Sequence, residues 1–374
     1  MLTQPYFPPG SAVISNTPIT SRYDTPLSNP TKVTIEYVFI DKNHQLRSKS
    51  KTINFIPTSL DQIPALNLFL DEEQKKSNED LHSSQQQYTP VAMYDDPFRV
   101  SSHGKLVLCE SPTRQECKDV MEYYAYLEPW FGMEQEYVLF DPKTNKPLGW
   151  PLHGEPESQG KYYCGVGTGR IFGRDILESH YRACLYAGLT ICGSNAEVTP
   201  GQLEYQIGPC LGVSMGDELW MARYIMERVA EDFGIIVSLH PKPILGDWNP
   251  TGCHTNFSTN EMRSVDNGLM AIEQAIENMS SKHLEHIEVY GRDNHLRLTG
   301  EYETGHISVF SYGVGNRGAS IRIPRRVALE GKGYMEDRRP ASNIDPYQVT
   351  SIMMKSSFNY KTFDYNDQYY LFEE

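Results

Sequence analysis

The sequence predicts an α+β protein, with a small β-rich part at the N-terminal side and a larger part that mixes strands with helices. Three observations carry this. First, Thr34-Ile35-Glu36-Tyr37-Val38-Phe39-Ile40 and a second run near Arg47–Phe55 flank Asp41-Lys42-Asn43-His44, which reads as a β-hairpin. Second, Ile176, His180, Ala183, Cys184 and Ala187 fall at helical spacing within 173–187, as do Leu219, Ala222, Met226, Val229 and Phe233 within 216–233. Gly188 and Gly234 stop these two runs. Third, short β-branched and aromatic runs stand between them, at 195–198, 202–207, 235–239, 253–257 and 319–323.

Residues 1–31 are rich in Pro, Ser and Thr and read as a mobile arm. The stretch 71–88 is polar and reads as a loop or a solvated helix. Leu106-Val107-Leu108-Cys109 is short and wholly apolar, as a buried strand is. A helix follows near 114–127, and a third long helix fits about Asn267–Tyr290. Trp130-Phe131-Gly132-Met133-Glu134-Gln135-Glu136-Tyr137 reads as a strand, closed by Asp141-Pro142. The parts are then a 1–31 arm, a 32–110 N-terminal domain, a larger 111–355 domain and a 356–374 tail.

Composition narrows the partners. The chain has 374 residues, 39% of them hydrophobic, which is enough for a sizeable core, and a net charge of −14. Such acidity argues against nucleic acid or an anionic membrane, and an anionic substrate then needs local cations, either metal or arginine. No apolar run reaches the length of a membrane span. The start, Met1-Leu2-Thr3-Gln4-Pro5, lacks the charged and apolar regions of a signal peptide. Seven cysteines without a CxxC pair fit a reduced, cytoplasmic protein. The triplets Asn256-Phe257-Ser258 and Asn278-Met279-Ser280 are then chance matches to a glycosylation pattern.

Glu134 and Glu136 share one strand face. They are either solvated acids or partners of a cation. Thr199-Pro200-Gly201 is a turn signal that would bring Glu197 and Glu204 together. His254 offers an imidazole and Glu336 a fifth acid. As a set they form an oxygen-rich site suited to Mg²⁺ or Mn²⁺. Arg297, Arg317, Arg322, Arg338 and Arg339 could clamp carboxylate or phosphate, or form structural ion pairs. Gly313-Val314-Gly315-Asn316-Arg317-Gly318 matches GxGxxG, but a strand-like run follows it rather than a helix, so it is no dinucleotide fingerprint.

Trp130–Tyr137, 159–167, 180–188, Asn195–Pro209, Pro241-Lys242-Pro243 to Met262-Arg263, Arg297-Leu298-Thr299-Gly300, Asn316–Pro324 and Gly333–Pro346 together resemble glutamine synthetase of the eukaryotic, fungal type. The resemblance implies a small β-grasp-like N-terminal domain and a larger catalytic domain, with a curved antiparallel sheet flanked by helices. It implies an ATP-dependent glutamate–ammonia ligase working through a γ-glutamyl phosphate, with glutamate, ammonium and ATP as its small-molecule partners. Two or more Mg²⁺ or Mn²⁺ ions per site would be held by Glu136, Glu197 and Glu204, and by Glu134, His254 and Glu336. Trp130, Glu204, Asn256, Ser258, Arg317, Arg322 and Tyr334 would contact the nucleotide. Asp247, Trp248, Asn249, Arg297, Arg317 and Arg338 would line the glutamate site, with Glu303, Arg317 and Arg338 in catalytic roles. A homo-oligomer of two stacked pentameric rings is implied, alone or mixed with a paralogue.

Departures from the family pattern concentrate in the N-terminal latch. Where the family carries Trp-Asn-Phe-Asp-Gly-Ser-Ser, this chain has Pro64-Ala65-Leu66-Asn67-Leu68-Phe69-Leu70-Asp71. Phe69 then stands at the aspartate that binds ammonium, unless Asp71 slips into place without the glycine. The family's Asn-Gly-Ala-Gly is Asn249-Pro250-Thr251-Gly252 here, and its Arg-His-Glu-Thr is Glu301-Tyr302-Glu303-Thr304. Two alternatives therefore stand beside the ligase. One is a γ-glutamyl ligase using another amine, and the other is a non-catalytic paralogue.

Overall fold

The computed structural model describes residues 31–41, 43–69, 85–99 and 103–358. Apart from Thr31, the expected arm lies outside the described residues, as do the tail beyond Phe358 and the segment 70–84 with Leu70 and Asp71.

The hairpin forms as its alternation predicts. Strand β1 (Val33–Ile40) pairs antiparallel with β2 (Leu46–Ile53), in a register running from Val33 opposite Ile53 to Ile40 opposite Leu46. Asp41 shapes the connection, accepting the backbone N–H groups of Asn43 and Gln45 at 2.8 and 3.0 Å. Two short strands, β3 (Leu66–Phe69) and β4 (Gln85–Tyr88), pair with each other. Gln85-Gln86-Gln87 is thus strand, where the polar composition predicts loop or helix. Pairing with β3 decides it, and Tyr88 anchors the end in the core. Strands β5 (Pro90–Asp95) and β6 (Lys105–Cys109) complete a four-stranded sheet of order β2-β1-β6-β5, with β1 and β6 parallel. One face of this sheet packs Ile35, Tyr37 and Val107 against Ile63, Leu66 and Leu68. The other sends Val38, Leu106 and Leu108 into the main core.

Helix α1 (Pro112–Tyr123) starts at Ser111, whose hydroxyl accepts the Arg114 N–H at 3.2 Å, with Pro112 in the first turn. The chain then builds β7 (Trp130–Asp141), β8 (Lys146–Pro147), α2 (Arg174–Ala187), β9 (Ile191–Ala196), β10 (Gln202–Leu211), α3 (Ser214–Phe233), β11 (Ile236–Ser238) and β12 (Cys253–Ser258). Helices α2 and α3 end at Gly188 and Gly234, as the spacing predicts. The single helix expected over 267–290 is two helices, α4 (Gly268–Ser280) and α5 (His283–Val289). At the break the hydroxyls of Ser280 and Ser281 donate to the Glu277 and Asn278 carbonyls, each at 2.8 Å, a local alternative to the helical ladder. Strands β13 (Tyr312–Val314) and β14 (Ile321–Ile323), α6 (Arg325–Glu330), β15 (Met335–Asp337) and α7 (Pro346–Ser357) complete the order. No helix among the described residues is long and apolar enough to cross a membrane.

The large sheet runs β13-β14-β15-β12-β7-β10-β9, with β8 and β11 also paired to β7. It is antiparallel except for β13 and β14, so the GxGxxG stretch joins two parallel strands. Glu134 and Glu136 face one side of β7. Met133, Gln135, Tyr137 and Leu139 are buried on the other, in the core shared with α2 and α3.

A buried hub fixes that second side. Arg223 of α3 donates to the Gln135 side-chain oxygen at 2.9 and 2.7 Å, to the Ile344 carbonyl at 2.7 Å and to the Ser342 carbonyl at 3.0 Å. Gln135 in turn donates to the Glu136 and Ser342 carbonyls. Three acceptors in the core depend on one guanidinium. Arg223→Ala should therefore cost roughly 3 kcal/mol, read as a lowered thermal midpoint, whereas Arg326→Ala on the exposed α6 surface should leave the midpoint unchanged.

Candidate functional site

The pleat and register of β7 assemble the candidate site. Glu136 lies opposite Glu204 on β10, and Glu134 lies opposite Gln206 on β10 and His254 on β12. Glu336 on β15 is opposite Asn256 of β12 and Arg322 of β14. Glu197 sits just past β9, in a turn where its N–H donates to the Gln202 carbonyl at 2.9 Å and the Gln202 N–H to the Thr199 carbonyl at 3.0 Å. The turn signal at 199–201 therefore does bring Glu197 and Glu204 together.

Two groups result. In one, the ligand atoms of Glu136, Glu197 and Glu204 lie within 4.8 Å of one another. In the other, those of Glu134, His254 and Glu336 do. Crowding and burial show in the proton affinities. Burial pushes the Glu204 carboxyl up to about 9, helped by the charges of Glu134, Glu136 and Glu197. Burial also pushes Glu136 and Glu197 up, and for Glu197 the charge of Glu136 adds to the rise. His254 is held well below its ordinary value by burial and by the Arg338 guanidinium. Arg297 donates to His254 Nε2 at 3.1 Å. His254 Nδ1 faces Glu134 at 3.5 Å and Glu336 at 3.6 Å.

Fixed dipoles hold the carboxylates. The Gly252 N–H donates to Glu136 at 2.7 Å, Asn195 to Glu197 at 2.8 Å, Gln206 to Glu204 at 2.8 Å and Asn256 to Glu134 at 2.9 Å. Gly252 is also a space requirement, because a Cβ there would come within 2.4 Å of the Arg297 guanidinium. Arg338 donates to Glu336 at 2.6 Å, and Arg322 pairs with the other Glu336 oxygen.

Glu134, Glu136, Glu197, Glu204 and His254 line a cavity of about 670 Å³, whose wall also carries Asn249, Arg297, Arg317, Tyr302 and Glu303, while Glu336 is buried behind it. Arg317 donates to Glu303 at 3.2 Å, and Arg338 to the Glu303 carbonyl at 3.3 Å. A second cavity, of about 340 Å³, adjoins along Glu134 and Gln206. It is more apolar, with Trp130, Phe131, Ile207 and Phe257, and it includes Asn256, Ser258 and Tyr334. Asp247 and Trp248, expected at the glutamate site, are not among the wall residues. Asp247 accepts the Tyr302 hydroxyl at 2.8 Å, and Trp248 packs on Trp150 with ring centroids 4.8 Å apart.

Sequence reasoning missed several members. Gln206 was available from strand alternation, two residues after Glu204. Asn195 and Gln159, which accepts the Asn249 N–H at 2.8 Å, carry no charge to draw notice. Arg263 stacks 4.0 Å over Trp130 and donates to Ser258 at 2.9 Å, a contact that only the paired strands create. At the expected latch, the Phe69 backbone ends β3 opposite Gln85.

Comparison with known proteins follows this geometry. Residues 110–288 match the family described as glutamine synthetase, catalytic domain. A glutamine synthetase of Tuber borchii is 51% identical over 92% of this chain and 98% of its own length. One of Schizosaccharomyces pombe is 50% identical over 93% and 98%, and one of Yarrowia lipolytica 53% over 87% and 90%. The chain belongs to the glutamine synthetase family. Members of this family generally use ATP and a divalent metal. The donor set fits such an ion, since five carboxylates and one imidazole suit a hard cation. Its charge would also offset the burial, and the lesser carboxylate repulsion, that raise the three carboxyl pKa values.

The raised carboxyls fix a pH dependence. Their folded pKa values exceed the unfolded value of about 4.3, so between there and about 9 the folded protein holds more protons than the unfolded chain. Stability in a chelator must therefore fall as pH rises from 7 to 9. A lower thermal midpoint at pH 9 than at pH 7 is expected, with added Mn²⁺ narrowing the gap. Calorimetric titration with Mn²⁺ at pH 7 should release protons, seen as a buffer-dependent heat.

Proposed function

We propose that the protein is a glutamate–ammonia ligase that makes glutamine with ATP. The observation that carries this is the joining, along β7, of two acidic ligand groups, an arginine-lined cavity and an adjoining apolar pocket. In this reading the apolar pocket seats the nucleotide, with Trp130, Asn256, Ser258 and Tyr334 about the base and ribose. Glu136, Glu197 and Glu204 hold one divalent cation and Glu134, His254 and Glu336 the other, with Mg²⁺ or Mn²⁺ as the ion. Bound there, the ions supply positive charge to phosphate oxygens as negative charge shifts during transfer.

The protein's own groups do the rest. Arg317 and Arg322 face the phosphates, and Arg297 and Arg338 orient glutamate, with Asn249 beside them. The γ-carboxylate of glutamate attacks the γ-phosphorus of ATP, giving γ-glutamyl phosphate and ADP. Ammonia then attacks the acyl carbon, and inorganic phosphate leaves. Glu303, from the loop over the cavity, shields the acyl phosphate from water and takes the proton that ammonium loses to become the attacking ammonia. Residues 32–110 act in this reading as the N-terminal domain and 111–355 as the catalytic domain, in a ring-forming homo-oligomer. The same reading places the enzyme in the cytoplasm, where thiols stay reduced.

The test is phosphate release with Mg-ATP and glutamate, with and without ammonium, alongside direct measurement of glutamine. Ammonium-dependent release with matching glutamine is expected. Release indifferent to ammonium would point to another amine acceptor, and no release would refute the ligase. Glu134→Ala and Glu204→Ala should each lower Mg²⁺-dependent turnover by on the order of 10²–10³-fold, and an unchanged rate in both would remove the metal assignment.

A further inference from the structure

The loop that carries Glu303 is held from two sides, and only one of them involves the groups assigned above. Its base is closed by the bridge between Thr299 and His306 and by the Ile307 N–H on the Leu298 carbonyl at 2.9 Å. At its tip Tyr302 and Glu303 are consecutive residues at positive φ, 53° and 58°. Non-glycine residues keep that conformation only where their surroundings hold them. On the inner side Arg317 and Arg338 hold Glu303. On the outer side the Tyr302 hydroxyl donates to Asp247 at 2.8 Å, and the Lys242 ammonium lies 4.7 Å from the centre of the Tyr302 ring. Lys242 also donates to the Trp248 carbonyl, which fixes the 242–249 segment that presents Asp247. Asn249, next in the chain, lines the cavity and is tied to Gln159. Tyrosine stands here where the family pattern carries histidine, so this contact belongs to the chain's own departure at Glu301-Tyr302-Glu303-Thr304.

We propose that Tyr302 is a positioning residue for glutamate. Clasped by Asp247, it keeps the 299–306 loop over the cavity, with Glu303 seated before substrate arrives. The inference rests on the ligase reading for the identity of the ligand. Without the clasp a smaller fraction of molecules has the loop closed, and the apparent affinity for glutamate falls by that fraction. Asp247 then acts on the site through Tyr302, consistent with its place outside the cavity wall.

The experiment compares wild type, Tyr302→Phe, Asp247→Asn and the double variant. Each single change should raise KM for glutamate about five-fold, the scale of one ordinary solvent-exposed hydrogen bond. For Tyr302→Phe the loss should fall on KM rather than kcat. The double variant should be no worse than either single, because both remove the same bond. Hydrogen exchange of the 299–306 amides should be faster in Tyr302→Phe than in wild type. An unchanged KM, multiplicative effects in the double variant, or unchanged loop exchange would each overturn the clasp. If wild type makes no glutamine, the ligase reading fails, and loop exchange still tests the clasp by itself.

Discussion

Crowded negative charge on one face of a sheet is the condition to which the surrounding structure responds. Within each group the ligand atoms lie no more than 4.8 Å apart. At that limit two ionised carboxylates repel by about 3.5 kcal/mol at an effective dielectric near 20. The structure meets this in three ways. Gly252, Asn195, Gln206 and Asn256 aim N–H groups at the carboxylates. Arg297 approaches from the segment before the loop, Arg322 from β14 and Arg338 from the position just after β15. Burial and neighbouring charge also raise the proton affinity of Glu197 and Glu204, which favours their neutral forms. Behind the sheet, the Arg223–Gln135 hub keeps β7 from moving in answer to the strain.

Strand β7 also acts as a ruler. Trp130 stands at one end of the face and Glu136 six residues further on, about 20 Å away at the rise of an extended strand. The apolar pocket opens at the Trp130 end and the arginine-lined cavity at the Glu136 end, with Glu134 common to both. A nucleotide laid along this strand would bring its phosphates to the carboxylates and its base to the aromatic end.

Much of this was legible from local pattern. The spacing of Glu134 and Glu136, the turn at Thr199-Pro200-Gly201, the two glycine-stopped helices and the hairpin from β1 to β2 each depend on near neighbours in sequence, and each formed as read. Features set by distant partners were not legible. Glu336 was legible as a further acid, yet nothing local says that β15 lies beside β12. The serines that break the 267–290 helix look like ordinary helix residues until their hydroxyls turn back on the carbonyls. Gln85–Gln87 reads as polar loop because β3, which makes it a strand, is sixteen or more residues away. Asp247 and Trp248 carry the right chemistry for a substrate wall, but Asp247 is bonded to Tyr302 and Trp248 packs on Trp150, an offset that composition does not record.

The threading of β15 has a consequence for how the chain is made. It enters the large sheet between β14 and β12, although β12 was laid down some eighty residues earlier. Until Glu336 leaves the ribosome, β12 has an open edge and His254 lacks one of its two acidic neighbours. The nascent protein therefore completes its second acidic group only once β15 has been made. An incomplete chain released before that point would have the Glu136 group without its counterpart.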